Sequence, residues 1–277
     1  MFQTLKNILQ EFCEDVVIDA INKGLQEICF TDHVDYGIKR DYDDPRGIVY
    51  RQCDLVKPNI ILLANVNYPE YYKKITELQK KYKNKIQIKL GLEFGMQKHT
   101  IDKYEILFKK YPFDFIILSV HQQDDLETWT QDYQKGKTQK EYNEGYYNEL
   151  LYLVKNYHNY SVLGHLDLIV RYDLQGKYPF ELVKPIIEEI LKEVIKDGKG
   201  IELNTSYHRY RVGDLTPSKD ILKLYKELGG RIITIGSDSH KPEHLGAYIE
   251  EGREELRKLG FKEFCTYENM KPVFHKL

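Results

Sequence analysis

The order of apolar and polar positions changes repeatedly between two periods along this chain. Segments with apolar side chains at every third or fourth position predict amphipathic helices, and the short apolar runs between them predict strands. A glycine at position 24 is placed to end the first helix. The predicted order is helix 2–24, strand 27–33, a polar excursion 35–67, helix 69–83, strand 85–94, helix 101–110, strand 113–121, helix 139–157, strand 161–167, helix 179–196, strand 200–204, helix 218–228, strand 231–240, helix 243–259 and a short tail.

Strands that alternate with helices in this way predict a mostly parallel sheet covered by helices. Six or seven such units in one chain favour a closed barrel over an open sheet. The length of 277 residues is ordinary for an α/β barrel that forms one domain. We therefore predict a single α/β domain over residues 1–277, with no linker inside it.

Charge and cysteine content exclude several classes of protein. The chain has 41 basic and 43 acidic residues and a formal net charge of −2, which argues against a general nucleic-acid surface or an electrostatic membrane anchor. It has neither an apolar run of roughly 18 residues nor a signal sequence, so a cytoplasmic location is expected. The four cysteines lie far apart, which argues against a disulfide framework or a zinc ribbon. The oligomeric state stays open.

Acidic and histidine residues stand where the predicted strands end. Each one has an ordinary interpretation, such as a buried structural histidine or a helix-capping turn. In a βα barrel, however, the carboxyl ends of the strands form the catalytic face. Four imidazoles and two carboxylates that converge there would repel one another and lose solvation unless cations held them. The residues are His33, Glu93, His121, His165, Asp238 and His240.

This ligand set indicates the kind of metal. Mixed imidazole and carboxylate ligands suit zinc, manganese or iron better than calcium, and the lack of thiolates argues against a structural zinc site. A shared carboxylate such as Glu93 could bridge two metals about 3.5–4 Å apart, an arrangement that activates water for phosphoester hydrolysis. The ligand set therefore predicts metal-dependent hydrolysis of a phosphoester.

Six short motifs, taken in order, resemble those of the polymerase-and-histidinol-phosphatase (PHP) superfamily and, within it, the monofunctional histidinol-phosphate phosphatases. The resemblance implies a distorted (β/α)7 TIM-like barrel with a trinuclear metal centre. It also implies hydrolysis of L-histidinol phosphate to L-histidinol and phosphate in histidine biosynthesis. The motifs are Thr-Asp-His (31–33), Gly-Leu-Glu (91–93), Ser-Val-His (119–121), Gly-His-Leu-Asp (164–167), Asn-Thr-Ser (204–206) and Gly-Ser-Asp-Ser-His (236–240).

The resemblance also implies roles for individual residues. Glu93 and Asp238 would be essential for catalysis, with Glu93 bridging metals one and two and Asp238 serving metal one. His121 and His165 would complete metal two, and His33 and His240 would serve metal three. The phosphate would be received by guanidinium groups, which offer paired donors to its oxygens. Arg171 and Arg209 are the expected phosphate ligands, and Arg211 competes with Arg209.

The chain departs from the family pattern at its beginning. The family opens with a strand that carries His-x-His, whereas this chain has no histidine before His33 and opens with a predicted helix. The first barrel strand is therefore expected to be missing, along with ligands of metals one and three. Two explanations compete: a mis-assigned or truncated start, which we favour, or a degenerate member that binds metal without efficient turnover. A related phosphoesterase with another small substrate is the remaining alternative.

Overall fold

A computed structural model describes residues 13–47, 49–52 and 60–277. The helices are α1 (13–22), α2 (Tyr68–Tyr82), α3 (Ile101–Phe108), α4 (Gln139–Asn156), α5 (Phe180–Lys196), α6 (Tyr207–Tyr210), α7 (Lys219–Glu227) and α8 (Ile249–Lys258). The strands are β1 (Glu27–Phe30), β2 (His33–Val34), β3 (Val49–Gln52), β4 (Ile60–Leu63), β5 (Gln87–Gly95), β6 (Phe115–Ser119), β7 (Gln122–Gln123), β8 (Leu126–Glu127), β9 (Val162–Leu163), β10 (Gly200–Asn204), β11 (Ile233–Gly236), β12 (Glu263–Glu268) and β13 (Lys271–Lys276).

The central sheet is parallel and has the order β1-β5-β6-β9-β10-β11, with β2 pairing to β5 beyond the end of β1. Helices cover its outer face, and the apolar core lies between the helices and the sheet. The sheet curls until its two edges approach each other. The distance of 5.5 Å between the ring centroids of His33, at one edge, and His240, beyond the other, shows this approach. This architecture is the predicted distorted TIM-like barrel. Among the described residues, β1 and β11 each pair with one strand only.

A β-hairpin of β12 and β13 closes the amino end of the barrel, where the sequence predicted only a short tail. Tyr267 and Cys265 pack inside the barrel against Phe115, Ile117 and Val162. The Tyr267 hydroxyl also donates to the Ser161 carbonyl at 3.0 Å. The buried side chains of the hairpin contact residues far away along the chain, in the barrel interior and, for Phe264, in the core beneath the helices, so the sequence of this segment by itself does not predict the hairpin.

Several predicted boundaries were wrong. The strand predicted at 231–240 ends at Gly236, and the strand predicted at 161–167 ends at Leu163. The last helix begins at Ile249 instead of residue 243, because Gly246 and Tyr248 have positive φ values of 68° and 61° that interrupt helical geometry. The polar excursion contains the β3–β4 hairpin. The first helix ends before Gly24 as predicted, while its predicted part at 2–12 lies outside the described residues.

No helix in the described part of the chain is long and apolar enough to cross a membrane.

Candidate metal centre

Parallel pairing brings the ends of distant strands to one mouth of the barrel. The register sets His33 of β2 directly beside Glu93 of β5. The same register sets Glu93 beside Ile117 of β6, two residues before Ser119 and four before His121. Because all strands of the sheet run in one direction, their carboxyl ends form a single face. The side chains at these ends therefore meet although they are far apart in sequence.

The carboxylate of Glu93 lies at the centre of three imidazoles. Its Oε1 atom is 3.0 Å from His121 Nε2 and 2.9 Å from His165 Nε2. Its Oε2 atom is 3.2 Å from His33 Nε2. The Ser119 hydroxyl donates to Oε1 at 2.7 Å and fixes the orientation of the carboxylate. The two oxygens of one buried carboxylate thus contact three potential metal ligands, each from a different strand or the loop that follows it.

Charge interactions in this cluster are strong because the Glu93 carboxylate at its centre is buried. Burial opposes ionisation of Glu93, but the surrounding imidazoles outweigh it and hold the pKa of this carboxyl well below its usual range. Burial lowers the pKa of His33 to about 4, against the attraction of Glu93. Burial also acts to lower the pKa of His121, but Glu93 and Asp35 overcome it and raise that pKa to about 10. The cluster therefore needs positive charge next to Glu93.

Asp35 was not among the residues that the sequence analysis selected. Its Oδ1 atom accepts a hydrogen bond from His121 Nδ1 at 2.8 Å, and its Oδ2 atom lies 2.6 Å from Lys39 Nζ. Burial acts to raise the pKa of Asp35, but Lys39 and His121 outweigh it and lower the pKa. A carboxylate in this place orients the imidazole and fixes which nitrogen faces Glu93. The available signal was the spacing of His33 and Asp35, two residues apart at a strand end.

A second group forms where β11 ends. His33, Asp238 and His240 offer ligand atoms that all lie within 4.8 Å of one another. Asp238 Oδ1 is 3.3 Å from His240 Nδ1. Asp238 has a φ of 48°, a left-handed conformation that turns the chain sharply after the strand. His33 therefore belongs to both groups, since it also lies with Glu93 and His121.

Two of the three candidate arginines lie against Asp238. Arg171 Nη1 is 3.8 Å and Arg209 Nη2 is 3.7 Å from Asp238 Oδ2. Arg209 also donates to the backbone carbonyls of Ser237 and Asp238, which supports the left-handed turn. Arg211 is exposed and ends α6 with a φ of 52°. The geometry therefore brings Arg209 and not Arg211 beside the candidate metal ligands.

Another carboxylate that the sequence analysis missed lies beneath this cluster. Glu202 on β10 is 5% exposed, and its Oε2 atom accepts the His165 backbone N–H at 3.2 Å. Burial is the largest influence on its pKa, and together with the nearby Glu93 carboxylate it raises the pKa of Glu202 to about 7. Its position two residues before Asn204, at a strand end, was the only signal in the sequence.

The donor set fits a divalent cation. His121 has a carboxylate on each ring nitrogen, so in the absence of metal it must carry a proton on both. A cation held by His121 and Glu93 would take the place of that proton, and Asp35 would still accept from Nδ1. His165 Nδ1 is also buried without a hydrogen-bond partner among the described residues. Imidazoles and carboxylates without thiolates are ligands typical of catalytic zinc sites.

Comparison with known proteins gives a consistent result. The family model of the PHP domain matches residues 10–206. A histidinol-phosphatase of Lactococcus lactis subsp. lactis is 34% identical over 265 residues, which cover 92% of this chain and 88% of that protein. A relative from Thermotoga maritima is 26% identical, with 95% of this chain and 92% of the relative covered.

Solved structures show the same similarity. The crystal structure of histidinol phosphate phosphatase from Lactococcus lactis subsp. lactis, complexed with zinc, L-histidinol and phosphate, has a TM-score of 0.75 and 30% sequence identity. The match covers 94% of this chain and 92% of that one. A structure from Listeria monocytogenes has a TM-score of 0.66 at 20% identity, with 85% and 92% covered, and supports the fold alone.

Proposed function

The chain belongs to the PHP domain family and to its histidinol-phosphatases, and we propose that it hydrolyses L-histidinol phosphate to L-histidinol and phosphate at the mouth of the barrel. The observation that carries the proposal is the placement of Glu93, whose two carboxylate oxygens lie within 3.2 Å of three imidazoles. Similarity to a structure that holds zinc, L-histidinol and phosphate supports the same substrate.

The proposed metal ligands are the six residues named from the sequence. Glu93, His121 and His165 form one set, and Asp238 and His240 form another, with His33 close to both. A bound divalent cation supplies a Lewis acid and lowers the pKa of water, so that a nucleophile is available near neutral pH. Zinc is the cation that the donor set and the similar structure favour. Manganese or iron, and the number of ions, are outcomes that elemental analysis decides.

Positive charge beside the ligands is proposed to hold the phosphate. Arg171 and Arg209 both lie within 3.8 Å of Asp238 Oδ2, so their guanidinium groups face the same point. Arg171 Nε is buried without a hydrogen-bond partner among the residues that the structure describes, which leaves a donor for an anion. Planar guanidinium groups match phosphate oxygens in pairs and stabilise the charge that develops on them. In this proposal the arginines orient the ester and the histidines and carboxylates hold the cations.

The test is phosphate release from L-histidinol phosphate by the purified, zinc-loaded chain. We expect release that stops after treatment with a chelator and returns with zinc. A panel of other small phosphomonoesters serves as the comparison, and faster hydrolysis of another ester would assign a different substrate. Tightly bound metal without release from any ester would instead support a metal-binding protein without phosphatase activity.

A further inference from the structure

The end of β10 carries a buried strip of polar side chains for which the proposed reaction has no role. Glu202, Asn204 and Ser206 alternate along the chain and are 5%, 1% and 0% exposed. Buried polar groups are costly unless each one is hydrogen-bonded, so their partners should explain why they are there. We refer to these three residues as the β10 strip.

The β10 strip is a continuous chain of hydrogen bonds. Arg171 Nη2 donates to Ser206 Oγ at 2.7 Å. The Ser206 hydroxyl donates to Asn204 Oδ1. Asn204 Nδ2 donates to Glu202 Oε2 at 3.0 Å, and the same oxygen accepts the backbone N–H of His165 at 3.2 Å. A proposed phosphate ligand is thereby connected to a proposed metal ligand through three side chains.

The orientation of each group in the strip is determined by its neighbours. Asn204 Oδ1 also accepts the backbone N–H of Ser206 at 3.0 Å, so the amide oxygen must face Ser206 and the amide nitrogen must face the carboxylate. Because the Ser206 hydroxyl donates its hydrogen to Asn204 Oδ1, the Ser206 oxygen can only accept a hydrogen bond from Arg171. A residue with a different pattern of donors and acceptors at position 204 would break the chain at its centre.

The strip also fixes the two backbone segments that carry proposed ligands. His165 has a φ of 21°, at the edge of the left-handed region, and its backbone N–H donates a hydrogen bond to the Glu202 carboxylate. On the other side, the Glu202 carboxylate lies directly over Gly236, where an added Cβ would be 2.1 Å from Oε1. Glu202 is therefore wedged between the loop that presents His165 and the turn that presents Asp238.

We propose that the β10 strip is a positioning device that couples phosphate binding at Arg171 to metal binding at His165. The proposal rests on the proposed function, since it takes Arg171 as a phosphate ligand and His165 as a metal ligand. Asn204 is the central positioning residue because it bonds to both halves of the strip. Loss of Asn204 should loosen both ends, whereas loss of the Ser206 hydroxyl should loosen mainly the arginine.

The experiment measures two affinities that do not depend on turnover. Binding of inorganic phosphate to the zinc-loaded protein is measured by calorimetric titration, and zinc affinity is measured by competition with a chelator. For Asn204→Ala we expect both affinities to fall by about tenfold, because the substitution releases Glu202, which is the hydrogen-bond partner of His165, and tenfold is the lower range for loss of such a partner. For Ser206→Ala we expect about a tenfold loss of phosphate affinity and nearly unchanged zinc affinity.

Thr234→Val is the matched control. Thr234 lies beside Glu202 on the neighbouring strand, is 8% exposed, and has a hydroxyl without a partner in the described structure. We expect both affinities of this variant to stay within about twofold of the wild-type values. An equal loss in Thr234→Val would mean that any change in this layer disturbs the site, and the coupling would be rejected. Unchanged affinities in a folded Asn204→Ala would reject it as well.

A double-mutant cycle tests the arginine half even if Asn204→Ala does not fold. Ser206→Ala should have no further effect on phosphate affinity once Arg171→Ala is present, because the hydroxyl acts through that guanidinium. Additive effects of the two substitutions would overturn the proposal. If the wild-type protein released no phosphate from L-histidinol phosphate, the proposed function would fail, whereas these binding measurements would still decide whether the strip couples the two sites.

Discussion

Replacing Gly236 by alanine should destabilise the protein by driving a methyl group into the Glu202 carboxylate. The added Cβ would lie 2.1 Å from Oε1, which is shorter than real Cβ contacts allow, and 3.1 Å from the carboxylate carbon, which is tighter than most real contacts. Glu202 cannot withdraw freely, because Oε2 accepts hydrogen bonds from the His165 backbone and the Asn204 amide. The methyl group must therefore both strain β11 and weaken those bonds.

The size of the effect follows from these two costs. Overpacking in a buried layer costs typically 1–3 kcal/mol, and a buried acceptor that loses its donors costs roughly 1–3 kcal/mol. We expect the free energy of unfolding to fall by about 2–4 kcal/mol. For a chain of 277 residues this corresponds to a decrease in Tm of roughly 4–8 °C.

Urea unfolding of the metal-free protein measures this change, and Gly252→Ala is the control. In α8, a Cβ at Gly252 would meet Ile235 and Thr205 at 3.2 Å, a tight contact that the gain of about 1 kcal/mol in helix propensity offsets. Its stability should stay within about 1 kcal/mol of the wild type. A loss smaller than about 0.5 kcal/mol in Gly236→Ala would show that the carboxylate moves without cost, which refutes the wedge described for Glu202.

Four other substitutions, of which Arg211→Ala is a control, test the site and the buried charges. Glu93→Gln keeps the side-chain shape but removes the charge. Zinc content, measured by elemental analysis, should therefore fall, and phosphatase activity should fall by more than about a hundredfold. Retained zinc would contradict the assignment of Glu93 as a metal ligand. Arg171→Ala should raise the Kd for inorganic phosphate by at least about tenfold in calorimetric titrations, while Arg211→Ala should leave this Kd unchanged. Equal effects of the two substitutions would contradict the proposal that Arg171 binds the phosphate. Burial raises the pKa of Asp167 to about 6 from 3.8, so its stabilising contribution is complete below pH 3.8 and is lost as the pH rises through 6. Asp167→Asn should therefore gain about 2 kcal/mol relative to wild type between pH 4.5 and 7.5 in urea unfolding of metal-free protein, and a difference independent of pH would refute this.

The local pattern of apolar and polar residues was sufficient to predict the order of strands and helices around the barrel. Alternation of short apolar runs with amphipathic segments predicted the parallel order, because side-chain periodicity depends only on neighbours along the chain. Candidate metal ligands at the ends of those runs could also be identified from the sequence, and the structure brings His33, Glu93 and His121 to one point. Boundaries were less predictable, since the strand before Asp238 ends where a left-handed residue turns the chain.

Contacts across the barrel depended on the tertiary structure. Asp35 meets His121 across 86 residues and Glu202 meets His165 across 37, and no local period relates such positions. The sequence also did not predict the terminal β12–β13 hairpin, because its buried side chains contact residues that lie far away along the chain. The choice between Arg209 and Arg211 likewise depended on the turn that ends α6.

The sequence by itself therefore determined which residues stand at the ends of the strands and, through their order, the family. The tertiary structure alone decided which of them share a point in space and which buried groups hold them there. The physical reason is that strand direction and side-chain period are local properties, whereas the curl of the sheet, which sets distances across the mouth, depends on all strands packing together.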